Sequence, residues 1–372
     1  MNNRMKELNK LIPTVDFDKL WKGFKKYKYA IYDDKQFYID DDKDLNLSLK
    51  KGEFGFIGEV NENFMGNTAI SINNEKIAIY DLRTISENTE DRKLSSLLIH
   101  EMFHCYQSDY GEKRNGNEIL GMEYPINVEN ISLRSLERQQ LFNAVFESDE
   151  DKKFEHLTQF FNTRSKREKI IGNFINYEKG IESFEGIAVF VEFQALSQLY
   201  NHDDRLELLR DYTKGFTDIT IENLAIRRSS YIQGMLLGMI ANDILADWKL
   251  NFQKSDLFLC DFLMNELDIK SVGIENNAVE LPDVTDCIEK WEKKRNLIFD
   301  EFENSSEKMF LDENIQITGF DPMNIVKRNN ELIHKSFLRI SLNDEEQIIP
   351  GPVKTIIGSN VFDVKRIEWL KK

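Results

Sequence analysis

Two histidines four residues apart are the residues of this chain best suited to chemistry. They belong to the segment His100-Glu101-Met102-Phe103-His104. Four residues are about one turn of an α-helix, so both imidazoles project from one face and can reach the same metal ion. Glu101 lies at the edge of that face, where its carboxylate can contact a metal-bound water. The pattern predicts a metal site with His100 and His104 as ligands and Glu101 as general base.

The helix that carries this pattern is expected to be anchored by an apolar flank. The residues that supply it are Leu94, Leu97, Leu98, Met102 and Phe103. Two core histidines held by hydrogen bonds, with no metal, are the alternative interpretation. Cys105 points away from the predicted metal face, which disfavours a thiol nucleophile working with His104.

The His100-Glu101-x-x-His104 pattern in a helix resembles the active-site helix of the zincin metallopeptidases. Metzincins have a further histidine six residues after the second one, but that position is Tyr110 here. Gluzincins take a glutamate from a downstream helix, and the segment Glu185-Gly186-Ile187-Ala188 is similar to the Glu-Gly-x-Ala segment of aminopeptidase N-like gluzincins. The resemblance implies that Glu185 is the third ligand of a Zn²⁺ cofactor.

Other interpretations of this glutamate stay open at the level of the sequence. Glu182, one turn earlier, is a second candidate ligand, and the acidic residues of the segment would also suit the solvent-exposed side of an amphipathic helix. Gly186 and Ala188 would let the two metal-bearing helices approach closely. No subfamily is assigned, because two whole predicted helices lie between His104 and Glu185.

The resemblance also implies a mechanism. Water in the fourth position of such a zinc site has a pKa of about 7, and Glu101 takes its proton during attack on a peptide carbonyl. Tyr231, at the start of an apolar helix, is the candidate donor to the oxyanion; a tyrosine that only packs its ring on the core is the alternative. Asp109, Glu182 and Glu192 are candidates to hold the second ring nitrogens of the histidines.

The secondary-structure elements that must position these residues form three consecutive regions of the sequence. Apolar alternation between Tyr27 and Leu82 predicts a sheet, with a hairpin over 67–80 that turns at Asn73-Asn74. Helical periodicity begins at Asn88, the expected N-cap, and short β-like runs start at Met309. The predicted helices cover 88–107, 128–148, 151–171, 181–200, 221–250 and 285–302.

These three regions predict an α+β, zincin-like fold. We expect an antiparallel or mixed sheet in residues 1–87, a mainly helical catalytic domain in 88–308 and a small β domain in 309–372. By analogy with zincins, a peptide or protein substrate in extended conformation is expected to pair with the 67–80 hairpin.

The composition narrows the function classes. Lys and Arg number 49 against 65 Asp and Glu, and the net charge of −16 comes without a basic block, so nucleic acid is not an expected partner. The longest apolar stretch, 231–246, is too short and too polar for a membrane span. The amino-terminal residues lack the apolar segment of a secretory signal, and the three cysteines form no pairing motif, so the cytoplasm is the expected compartment.

Two functions from different classes follow. One is a zinc-dependent metallopeptidase; the other is a zincin-like binding or regulatory protein that has the zinc site but no significant turnover. Glu101 favours the enzyme, because a structural zinc site needs no base. The remaining histidines, His156, His202 and His334, have polar neighbours in the sequence and are expected at the surface or in interface contacts.

Overall fold

The computed structural model has an α+β architecture, with 53% of the residues in helices and 20% in strands, which confirms the α+β part of the prediction. It describes residues 1–201, 205–270, 281–305, 307–312, 315–342, 345–358 and 363–371. No helix in these ranges is long and apolar enough to cross a membrane.

A six-stranded sheet follows two amino-terminal helices, α1 (Asn2–Leu11) and α2 (Phe17–Leu20). Its strands are β1 (Lys28–Tyr32), β2 (Gln36–Ile39), β3 (Lys50–Lys51), β4 (Phe56–Glu59), β5 (Thr68–Ile72) and β6 (Glu75–Asp81). The order across the sheet is β3-β4-β2-β1-β6-β5. Strands β1 and β6 run parallel and the other neighbours run antiparallel, so the sheet is mixed.

The predicted hairpin is formed by β5 and β6. Ile72 pairs with Glu75, and the connecting residues Asn73 and Asn74 have φ angles of 50° and 66°. Asparagine tolerates this left-handed region, and two such residues in succession give the turn whose twist suits a hairpin. In the strand order of the described sheet, β5 pairs only with β6 and lies at an edge.

The helical part follows the sheet. Its helices are α3 (Asp91–Tyr110), α4 (Glu118–Met122), α5 (Val128–Phe146), α6 (Glu150–Ile171), α7 (Ile175–Ile181), α8 (Ile187–Leu199), α9 (Arg205–Tyr212), α10 (Ile226–Ile244), α11 (Trp248–Lys254), α12 (Leu259–Glu266) and α13 (Pro282–Asn304). The turn Glu182–Gly186 between α7 and α8 is π-helical, so residues 175–199 form one continuous helix, here named the bulged helix.

Several predicted helix boundaries are wrong: the helix expected from residue 181 begins at Ile175, and the one expected from 221 begins at Ile226. Asn88 is not the N-cap: α3 begins at Asp91, and Glu90 precedes it without a side-chain cap hydrogen bond. The predicted helix 221–250 is divided, because Leu245 is extended and Asp247 adopts a left-handed conformation with φ of 51°. The apolar periodicity of the sequence continues across that break, so the periodicity does not reveal where the helix ends.

Helix α3 is buried between the sheet and α8. Leu94, Leu98, Met102 and Phe103 are fully buried and belong to the same apolar cluster as Tyr29 of β1. Burying each side chain of this size contributes about 1.5–3 kcal/mol, so the helix with the two histidines is firmly held. This core joins residues on both sides of the domain boundary expected at residue 87. That domain boundary stays a prediction.

The carboxy-terminal strands form two further sheets. They are β7 (Lys308–Leu311), β8 (Ile315–Phe320), β9 (Ile325–Arg328), β10 (Glu331–His334), β11 (Phe337–Leu342), β12 (Glu345–Pro350), β13 (Val353–Ile357) and β14 (Val364–Leu370). The orders are β7-β14-β13-β10-β9 and β12-β11-β8. Arg328 and Lys354 join the larger sheet to α13 through Asp300 and Glu303.

Candidate metal centre

The two histidines of α3 face each other. The Nε2 atoms of His100 and His104 are 3.1 Å apart, and the rings are inclined by 79°. His100 is only 8% exposed. Two imidazole nitrogens at this distance must share a proton or direct their lone pairs at a common cation. The predicted projection from one helix face is therefore seen in the structure.

Glu185 reaches the same point from the bulged helix. Its Oε2 atom lies 3.3 Å from His104 Nε2 and 3.7 Å from His100 Nε2. The π turn inserts one extra residue, which changes the direction of side chains without ending the helix. Phe184, in the same turn, stacks on the His104 ring with centroids 4.9 Å apart. The π turn thus directs two successive side chains at His104.

The atoms His100 Nε2, His104 Nε2 and Glu185 Oε2, here named the donor cluster, fit a zinc-sized ion. Their separations are 3.1, 3.3 and 3.7 Å. Tetrahedral zinc with bonds of about 2.05 Å separates its nitrogen and oxygen ligands by about 3.3 Å. Glu101 belongs to the same neighbourhood, since it, His100 and His104 offer ligand atoms within 4.8 Å of one another.

The outer ring nitrogens of both histidines also have acceptors. His104 Nδ1 lies 2.6 Å from Gln107 Oε1, and Gln107 Nε2 donates to the Phe184 carbonyl at 3.0 Å. His100 Nδ1 lies 3.2 Å from Glu192 Oε2, a charge contact that lacks good hydrogen-bond alignment. An acceptor at Nδ1 favours the tautomer whose Nε2 lone pair is free to bind a metal.

Glu192 is itself held in place. Its Oε1 accepts hydrogen bonds from Lys93 Nζ at 2.7 Å and from the Tyr212 hydroxyl at 2.6 Å. Lys93 also contacts the Tyr212 hydroxyl at 2.6 Å. The side chain of Glu192 is 6% exposed, so this arrangement is shielded from solvent.

Two of the other predicted partners lie elsewhere. Asp109 binds Lys76 at 2.6 Å and the Tyr27 hydroxyl. Glu182 is neither a ligand nor a partner of a histidine, because both of its oxygens bind buried Arg164, at 2.7 and 3.1 Å. Glu182 and Glu192 are buried and the Glu185 side chain is only 12% exposed, so the interpretation of this segment as a solvent-exposed face is also wrong.

Gln107 is the partner that sequence reasoning missed. It lies one turn after His104 on α3, and this i, i+3 spacing is the signal that could have identified it.

Helix α10 supplies the other side of the site. Arg227 Nη2 donates to Glu185 Oε1 at 2.8 Å, and the Tyr231 ring lies 5.7 Å from the guanidinium. Burial, assisted by the Glu185 carboxylate, raises the pKa of Tyr231, so its hydroxyl stays protonated and can donate. The role of Tyr231 as oxyanion donor stays a prediction.

Two glycines permit this approach of α10. A Cβ atom at Gly186 would overlap the backbone of Gly234, and one at Gly234 would overlap the backbone of Glu182. The expectation that Gly186 would adjoin the other metal-bearing helix is therefore wrong. It adjoins α10, since the bulged helix crosses both α3 and α10.

The charges around the donor cluster favour a bound cation. Burial alone would lower the pKa of His100, but the carboxylates of Glu185 and Glu192 raise it to about 10. The histidines and Arg227 hold the pKa of Glu185 well below its usual range, against the effect of burial. Burial raises the pKa of Glu101. A proton or a metal ion can satisfy such a site, and the two compete for His100.

A cleft of about 530 Å³ opens beside the site. Its lining includes Glu192, Tyr212 and Tyr231 together with Asp218 and Asn223. Glu192, which lines the cleft, also contacts His100, so the cleft lies next to the donor cluster.

The remaining histidines have other environments. His156 is partly buried and lies 2.7 Å from Gln140 Oε1. His334 is 2% exposed, and the prediction of a surface position is wrong, because β10 is an inner strand of its sheet and the ring packs near Phe320. His202 lies outside the described residues.

Comparisons with protein-family models, with curated proteins and with solved structures found no match for this chain. The resemblance to gluzincins therefore depends on the motif residues and on the geometry of the donor cluster.

Proposed function

We propose that this protein is a zinc-dependent metallopeptidase of the gluzincin type, with a zincin-like arrangement of sheet and helices. The observation that carries the proposal is the convergence of His100 Nε2, His104 Nε2 and Glu185 Oε2 within 3.7 Å. Two imidazoles and one carboxylate form a ligand set of catalytic zinc, which leaves a fourth position for water.

Each residue of the site has a distinct role. His100, His104 and Glu185 would hold Zn²⁺, which when bound would supply a Lewis acid for a water molecule and for the substrate carbonyl. Glu101 accepts the proton of the water and returns it to the leaving amine. Burial raises the pKa of Glu101, which suits a group that must both take and give a proton near neutral pH. Tyr231 donates to the oxyanion.

The substrate is a peptide or protein segment in extended conformation. Strand β5 lies at an edge of the described sheet and packs with β6 against α3. A peptide added to β5 would form main-chain hydrogen bonds with the sheet. Strand β6, which pairs with β5, packs on α3, the helix that carries Glu101.

The proposal is tested by zinc analysis of the purified protein and by cleavage of a mixed peptide library, with and without a chelator. We expect about one zinc ion per chain and cleavage that stops on chelation and returns with Zn²⁺. In Glu101→Gln, kcat/KM should fall at least about 100-fold with zinc retained. Glu289→Gln, at an exposed position on α13, is the matched control.

The outcomes separate the two function classes. Zinc binding by the wild type without any cleavage would favour the binding or regulatory protein. Cleavage that survives Glu101→Gln would refute the assigned mechanism. Absence of zinc would remove the basis of both alternatives.

A further inference from the structure

We infer that Arg227 is a positioning residue that makes Glu185 a single-oxygen ligand and so preserves an open coordination position. This inference rests on the proposed metal site but not on the proposed peptidase activity. It concerns a residue outside the donor cluster, on α10, that the sequence motif does not include.

The two oxygens of Glu185 have separate partners. Oε1 accepts a hydrogen bond from Arg227 Nη2 at 2.8 Å, whereas Oε2 lies 3.3 and 3.7 Å from the histidine nitrogens. A charge-assisted hydrogen bond is roughly twice as strong as a neutral one. Binding of both oxygens to one metal ion would set the ion in competition with Arg227 for the electron density of Oε1, so the pair opposes that geometry.

Arg227 is held from its other side as well. Its Nη1 atom donates to Glu118 on α4, and Glu118 also accepts from the Tyr177 hydroxyl at 3.2 Å. The side chain of Arg227 is 14% exposed, and its guanidinium lies 5.7 Å from the Tyr231 ring. The guanidinium is thus fixed between two carboxylates and cannot follow Glu185 if that side chain rotates.

The consequence for the site is a defined coordination number. A single-oxygen Glu185 and two histidines provide three protein ligands, so one position of a tetrahedral ion stays open for water. The positive charge of Arg227 also withdraws electron density from the ligand carboxylate, which leaves more positive charge at the ion. Without Arg227, the second oxygen is free to become an additional ligand.

Cobalt substitution tests this inference. The protein is loaded with Co²⁺ alone, whose visible absorption is intense in four-coordinate sites and weaker when the coordination number rises. For Arg227→Met we expect one bound Co²⁺ per chain, as in the wild type. The visible absorption should fall to about half of the wild-type value or below. Arg227→Lys restores a charged donor and should regain part of the intensity. Arg328→Met, which removes an arginine paired with Asp300 and Glu331, should leave the spectrum unchanged.

Glu118→Gln provides a second measurement if Arg227→Met does not fold. It weakens the anchor of Arg227 without removing the guanidinium, and we expect a smaller change of the spectrum in the same direction. An unchanged spectrum in the folded variants, or an equal change in Arg227→Met and Arg227→Lys, would overturn the inference. Failure of the wild type to bind Co²⁺ or Zn²⁺ would overturn it together with the proposed function. Metal binding without peptide cleavage would refute the peptidase and leave the test of Arg227 valid.

Discussion

The bulged helix takes part in two buried groups of charged residues with opposite character. One is the donor cluster, to which the helix contributes Glu185. The other, here named the ion-pair cluster, consists of Glu137, Glu178, Glu182, Arg134, Arg164 and Arg167, all 0–2% exposed. Each contains a glutamate of the π turn, Glu182 or Glu185, and these two residues are only three positions apart. The π turn between α7 and α8 contains both residues.

In the ion-pair cluster each carboxylate has guanidinium partners. Glu178 Oε2 is 2.7 Å from Arg134 Nε, and Glu137 Oε2 is 2.7 Å from Arg167 Nη1. The three carboxylates and the three guanidinium groups of this cluster are thus paired with one another. In the donor cluster, by contrast, lone-pair-bearing atoms face one another at 3.1–3.7 Å. The neighbours of a buried glutamate, and not its residue type, decide whether it stabilises the fold or can bind a metal.

Helix α10 contributes to both clusters. Gln233 Nε2 donates to Glu137 at 2.6 Å, and Arg134 donates to Ser230 at 3.3 Å, whereas Arg227 binds Glu185. The close crossing at Gly186 and Gly234 holds the two clusters in a fixed relation. If this comparison is right, damage to the ion-pair cluster should unfold the protein, and damage to the donor cluster should release the metal.

The largest effect is expected from Glu178→Gln, on the free energy of unfolding. The change leaves Arg134 and Arg167 buried with one charge partner fewer, which costs about 3–5 kcal/mol of unfolding free energy. Urea unfolding monitored by circular dichroism measures it. Glu168→Gln is the control: Glu168 is half exposed, and its partner Lys179 keeps a second carboxylate, Asp261, so the change should cost less than about 1 kcal/mol. Equal losses in both variants would contradict the comparison.

Glu185→Gln should have the next largest effect, on zinc affinity. The amide cannot supply the charged oxygen of the donor cluster, so the zinc dissociation constant should rise at least about 100-fold. Competition with a chromophoric chelator measures it. The unfolding free energy of the metal-free protein should change less than in Glu178→Gln. Retention of wild-type affinity would mean that Glu185 is not a ligand.

Gln107→Leu should weaken zinc binding by about 10-fold. The His104 ring loses the acceptor at Nδ1 that fixes its orientation and tautomer, and loss of such outer partners typically costs 10- to 100-fold. Gln140→Leu removes the equivalent contact at His156 and is the matched control. Metal titration of the two variants side by side checks the effect, and equal affinities would rule out this role of Gln107.

The smallest effect is expected from the titration of His334, which makes the free energy of unfolding depend on pH. Burial lowers its pKa to about 4, whereas the unfolded chain has a histidine pKa of about 6.5. The unfolded state then binds more protons between these values, so stability falls as the pH decreases, by about 1 kcal/mol between pH 7 and 5.5. Hydrogen exchange of the backbone amides of β10 and β13 measures this. His334→Gln should abolish this part of the pH dependence; a slope that persists in the variant would exclude His334 as its source.

Much of the local structure could be predicted from the sequence. The α+β class is confirmed, and the hairpin at Asn73-Asn74 follows from turn chemistry that involves only neighbouring residues. Errors occurred where a local break is not visible in apolar periodicity, as at Asp247, or where tertiary packing decides which helix a residue adjoins, as for Gly186 against α10. The environment of His334 was also missed, because residues from another sheet bury it.

The sequence by itself determined that His100 and His104 share a helix face and that Glu101 lies beside them, because helical geometry relates residues one turn apart. Only the tertiary structure decided which glutamate joins them. Glu182 and Glu185 are chemically equal and close in the chain, but Arg164 binds the first and Arg227 orients the second. Such partners come from distant elements through packing, and no local spacing encodes that choice.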